Sequence, residues 1–71
     1  RPHNGVDFSA PIGTPVRTVA DGRIVFAGYR GTSGIMVKIR HDDRFTTEYL
    51  HLKSIQPNLR KGTFVAQGQV I

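Results

Sequence analysis

Ile35-Met36-Val37-Lys38-Ile39-Arg40 sets the reading of the whole chain. Ile35, Val37 and Ile39 fall on one side of an extended segment, and Met36, Lys38 and Arg40 fall on the other. Period two marks a half-buried strand, because successive side chains leave a strand on opposite faces. Downstream, His41-Asp42-Asp43-Arg44 reads as a polar turn in which His41 is an exposed side chain. Residues 45–50 then resume a β-prone run, so residues 35–50 predict an antiparallel hairpin. Upstream, Gly31-Thr32-Ser33-Gly34 is a turn by composition, residues 23–29 are a second strand, and Asp21-Gly22 closes a shorter candidate at 14–20. Pro57 argues against a central strand at 52–59. Residues 63–66 and 69–71 suggest two further short strands around Gln67-Gly68. No segment carries a sustained helical period with caps. Short strands separated by glycine turns predict an all-β fold, a compact antiparallel β barrel or sandwich.

The sequence also echoes itself. Gly13-Thr14-Pro15-Val16 leads to Asp21-Gly22-Arg23-Ile24, and Gly62-Thr63-Phe64-Val65 leads to Gln67-Gly68-Gln69-Val70. Two related β units predict a pseudo-symmetric barrel. The chain stops at Ile71 inside a strand pattern, which predicts an incomplete fragment with an open strand at Gln69–Ile71 that could pair with another copy.

Composition narrows the function. The chain has 71 residues and no cysteine, which excludes disulfides and thiolate metal sites. Ten Lys and Arg stand against five Asp and Glu, a formal net charge of +5. The basic residues are spread along the sequence, with no basic block and no nucleic-acid motif, so nucleic acid is not an expected partner. An anionic polymer such as a bacterial cell wall would attract such a chain. No apolar run approaches the roughly 20 residues of a membrane span.

The residues able to carry chemistry are few. His3 and Asp7 stand four apart with Gly5 between them, and a bend at Gly5 would let both reach one ion. Imidazole nitrogen and carboxylate oxygen are both good zinc ligands. A catalytic zinc takes three protein ligands and keeps one open position. Composition leaves open whether His51, His41 or a residue outside the chain is the third. In strand alternation His51 shares a face with Tyr49, opposite Glu48, Leu50 and Leu52, and a histidine so placed can act as acid, base or oxyanion donor. No Ser-His-Asp or Cys-His pattern is visible, and Gly31-Thr32-Ser33-Gly34 lacks the lysine of a phosphate-binding loop.

Taken in order, several segments resemble the LytM/lysostaphin-type zinc metallopeptidases, peptidase family M23. They are His3-x-x-x-Asp7 with residues 8–16, Ala20-Asp21-Gly22-Arg23-Ile24, Thr47-Glu48-Tyr49-Leu50-His51-Leu52, Lys61-Gly62 and Gln67-Gly68-Gln69-Val70-Ile71. The resemblance covers almost the whole chain. It implies a β fold of the duplicated-hybrid type, zinc as cofactor and peptidoglycan peptides as substrate. It also implies action in the cell envelope, either periplasmic or extracellular. By the same resemblance His3 and Asp7 match the zinc-binding histidine and aspartate, and His51 matches a histidine that lines the site and helps catalysis. The family's third ligand belongs to a later His-x-His motif that this chain does not contain. Residues 1–71 are therefore expected to be the N-terminal part of a single peptidase domain, inactive by themselves.

Two other functions fit parts of the pattern. One is a degenerate relative that activates other wall hydrolases. The other is a barrel-sandwich module of the biotinyl or lipoyl type, which carries its cofactor on a lysine at a hairpin tip. Lys38 is the only candidate for that lysine, and it sits mid-strand.

Overall fold

The computed structural model describes residues 4–71. It holds one five-stranded sheet: β1 (Asn4–Ser9), β2 (Gly22–Tyr29), β3 (Ile35–Arg40), β4 (Phe45–Leu52) and β5 (Phe64–Val65), in the order β1-β4-β3-β2-β5. One short 3-10 turn at Gly31–Ser33 is the only helical element among the described residues. The all-β expectation holds, and β3 and the hairpin lie where the alternation puts them. The sheet is mixed rather than purely antiparallel. β1 runs parallel to β4, with Asn4 opposite Phe45 and Ser9 opposite Leu50, while the other pairings are antiparallel.

Local chemistry explains the hairpin. Gly31 and Gly34 take positive φ angles of 48° and 67°, a region that glycine enters without a Cβ clash. Beyond Arg40, His41 N–H donates to the Phe45 carbonyl, and Asp42 Oδ1 accepts the Arg44 N–H at 2.8 Å, closing an Asx turn.

One face of the sheet builds the core. Ile24, Val37, Ile39, Tyr49, Val65 and Ile71 are buried together, with Val16, Ala27, Leu52, Ile55 and Leu59 packed against them. Two β-bulges decide which side chains join this face. On β2, Ile24 pairs Ile39 but Phe26 pairs Lys38, so Val25 is an extra residue and Phe26 turns to the outer face. On β4, Val37 pairs Tyr49 and Ile35 pairs Leu52, so Leu50 and His51 together oppose Met36. Leu52 therefore joins the Tyr49 face and packs on the core, where unbroken alternation would have grouped it with Glu48.

The segments at 14–20 and 69–71 are not full strands. They meet at one isolated bridge, Arg17 to Val70. The backbone there is nevertheless paired: Thr18 N–H donates to the Gln69 carbonyl, Ile71 N–H to the Val16 carbonyl, and Gln56 N–H to the Ile71 carbonyl. Ile71 is only 4% exposed. The open strand expected at Gln69–Ile71 is thus replaced by an edge satisfied from residues 16–18 and 56, because the two echoing units fold onto each other. Asp21 Oδ1 accepts the Gln67 N–H at 2.7 Å, which ties the two glycine turns together.

Candidate functional site

Asp7 lies in the middle of β1, opposite Glu48 of β4. Directly paired residues share a face, so Asp7 points to the outer side of the sheet with Glu48, Lys38 and Phe26. Its side chain is exposed and makes no ion pair among the described residues. Lys38 Nζ lies 3.5 Å from Glu48 Oε2, so the neighbouring carboxylate is already neutralised. The same ion pair holds Lys38 in mid-strand, unlike the hairpin-tip lysine of a biotinyl or lipoyl carrier. Gly5 lies within β1, opposite Thr46 of β4. His3 lies outside the described residues.

His51 is exposed and sits at the β4 bulge with φ of 57°, a left-handed conformation that a side chain with a Cβ seldom adopts. A Cβ built on Gly34 would lie 3.6 Å from His51 Nδ1, so the imidazole stands over the turn between β2 and β3. His51 also lines a groove of about 260 Å³ with Phe8, Pro11, Val16, Val19 and Tyr49. The Phe8 and Tyr49 rings stack there, with centroids 5.3 Å apart. Asp7 does not line this groove. The two residues come from neighbouring strands, with His51 three positions along β4 from the partner of Asp7.

His41 is the residue whose role the sequence conceals. It is half-buried rather than exposed, and both ring nitrogens are engaged. Nδ1 lies 2.7 Å from the Asp21 carbonyl oxygen and Nε2 lies 2.7 Å from Thr47 Oγ1. Thr47 Oγ1 is 2.8 Å from the Tyr49 hydroxyl, which accepts the Val19 N–H at 3.2 Å. Asp21's carbonyl can only accept, so Nδ1 carries a proton. Nε2 meets Thr47 Oγ1, and the Thr47 hydroxyl donates onward to the Tyr49 oxygen. The network fastens residues 19–21 to β4, two residues before His51.

Metal-binding capacity among the described residues is limited: no three His, Cys, Asp or Glu side chains converge to hold an ion. Asp7 offers one hard oxygen donor, suited to zinc but insufficient alone.

Comparison with known proteins gives the class. The family profile of Peptidase family M23 matches residues 1–71, and the chain belongs to that family. It is 46% identical over 70 residues to the peptidoglycan DD-endopeptidase ShyA of Vibrio cholerae, which covers 99% of this chain and 16% of that protein. It is 46% identical over 68 residues to the DD-carboxypeptidase/endopeptidase Mpg of Neisseria meningitidis, covering 92% of this chain and 16% of the relative. An uncharacterized metalloprotease of Haemophilus influenzae is 42% identical over 73 residues, covering 100% of this chain and 15% of the relative. The chain thus spans about one sixth of the length of these relatives. No solved structure matches the chain significantly. Among the described residues no helix is long and apolar enough to cross a membrane.

Proposed function

We propose that this chain is the N-terminal part of the peptidase domain of a zinc-dependent endopeptidase that hydrolyses peptide cross-links or stem peptides of peptidoglycan in the cell envelope. In this reading His3 and Asp7 are two zinc ligands, and a third ligand comes from outside residues 1–71. The observation that carries it is the family match over residues 1–71, joined to 46% identity with a peptidoglycan DD-endopeptidase across nearly the whole chain.

A zinc ion held by these residues supplies a Lewis acid that polarises the scissile carbonyl. The chain's own contributions are separate. The carboxylate of Asp7 is exposed and makes no ion pair among the described residues, which suits it to a ligand's role. His51, three positions along β4 from the partner of Asp7, presents an exposed imidazole that can donate a hydrogen bond to the oxygen that gains charge or pass a proton. The His41–Thr47–Tyr49 chain holds the strand that carries it.

The test uses the complete protein that contains this chain. Purified protein should cleave a cross-linked peptidoglycan peptide, lose the activity to a chelator and regain it with zinc. His3→Ala and Asp7→Ala should each lower bound zinc well below one ion per chain along with activity. Full zinc occupancy in either variant would refute its assignment as a ligand.

A further inference from the structure

The outer face of the sheet is polarised along one row. Asp7, Glu48, Lys38 and Phe26 are partners in register across β1, β4, β3 and β2. The Lys38–Glu48 pair in the middle is internally neutral. Beyond it the character changes. The Arg30 guanidinium lies 4.0 Å from the centre of the Phe26 ring. In the neighbouring row Arg23 pairs Arg40 and Phe64, and its guanidinium lies 5.8 Å from the Phe64 ring centre. Phe64 is 52% exposed although it is a large apolar side chain on a sheet face.

We propose that Phe26–Arg30 and Phe64–Arg23, flanked by Arg40, form a subsite for the carboxylate groups of an acidic peptide whose scissile bond lies at Asp7. The proposal rests on the peptidase reading above. Three observations support it. Neither Arg23 nor Arg30 has a carboxylate partner among the described residues. Arg40 shares its charge only with Asp43, a fully exposed side chain at 3.5 Å. Arg23 uses one nitrogen on the Gly62 carbonyl, which fixes the side chain while leaving most of its five donors free.

The rings add direction. A guanidinium held over an aromatic ring is partly pre-organised, and donors pointing away from the ring stay open for a carboxylate. Distance fits as well. From β1 to β2 is three strand spacings, about 14 Å, and an extended peptide covers about 3.3 Å per residue. Four or five residues lying across the strands therefore reach from Asp7 to Phe26–Arg30. The bulge at Val25 makes this possible, because without it Phe26 would face the core beside Ile24.

Binding to the chelated complete protein separates this proposal from catalysis. Two fluorescent probes are compared: a synthetic cross-linked D-amino-acid peptide with free carboxylates, and the same peptide with every carboxylate amidated. The free-carboxylate probe should bind about tenfold more tightly at low salt, and Arg23→Gln/Arg30→Gln should erase the difference without weakening the amidated probe. Phe26→Leu should remove part of it. Equal binding of both probes by the unmodified protein would overturn the subsite, and so would discrimination that survives in the double variant. Cleavage of the free-carboxylate peptide by the zinc-loaded protein reports separately on the peptidase reading.

Discussion

Thr47 Oγ1 lies 2.7 Å from Nε2 of His41, and this single contact joins the turn after β3 to the buried middle of β4. Thr47 is fully buried, so its hydroxyl has no water to fall back on. Losing one partner leaves the others short, because a buried polar group without a partner costs about 1–3 kcal/mol. Thr47→Val and Tyr49→Phe should each destabilise by roughly that amount. Their combination should cost less than the sum, by about 0.5 kcal/mol or more, since both break one chain. Denaturant unfolding of the four proteins in the cycle measures the coupling. Strict additivity would mean that the hydroxyls act independently.

Gly22 is required for a different reason. A Cβ there would lie 2.6 Å from Ile39 Cγ2, 2.7 Å from the Arg40 carbonyl oxygen and 3.0 Å from His41 Nδ1. The carbonyl belongs to the β2–β3 ladder and cannot step aside. Gly22→Ala should therefore destabilise by about 1–3 kcal/mol, the range for overpacking. Gly5→Ala is the control, because its nearest neighbour, Thr46 Oγ1, is 3.4 Å away. That change should leave stability within about 1 kcal/mol of the parent. Thermal unfolding that ranks the two variants the other way would contradict the packing at Gly22.

The strands that could be read from sequence are those whose pattern is local. Residues 35–40 alternate without interruption and form β3 as expected. β1 was not legible as a strand, since Gly5 and Asp7 break its β character and its parallel partner lies some 40 positions away. The bulges were hidden for the same reason: an extra residue is defined only against the facing strand. They reassign Phe26 and Leu52 to faces that simple alternation does not give. His41 sits among polar turn residues, and it is covered only because Asp21 arrives from 20 positions earlier. At the candidate site, the His3–Asp7 spacing and the Tyr49-x-His51 pattern are visible in the sequence. The left-handed backbone of His51 is not, because it falls where two residues of β4 oppose one residue of β3, a match defined only by the facing strand.

The Lys38–Glu48 pair should contribute little. Both side chains are about one-third exposed, at 36% and 29%, and the 3.5 Å contact is long for an ion pair. A double-mutant cycle with Lys38→Met and Glu48→Gln should give a coupling below about 1 kcal/mol that shrinks as salt is raised. Its role is to keep the strip between Asp7 and Phe26 electrically neutral. A coupling well above that value, insensitive to salt, would show instead that the pair anchors the sheet.

At His51 the effects on stability and activity should separate. Any residue with a Cβ is disfavoured at φ of 57°, by roughly 1–2 kcal/mol for the left-handed conformation. His51→Ala keeps that cost, while His51→Gly relieves it and gives back part through the greater freedom of the unfolded chain. His51→Gly should therefore be more stable than His51→Ala, by up to about 1 kcal/mol. Both lack the imidazole, so in the complete protein both should lose about two orders of magnitude in turnover on a cross-linked peptidoglycan peptide, with zinc content unchanged. Zinc lost together with activity would make His51 a ligand, and activity retained in either variant would make it a structural residue. If the two variants prove equally stable, the bulge relaxes when the side chain is removed and the left-handed backbone is a consequence of the imidazole rather than of the strand register.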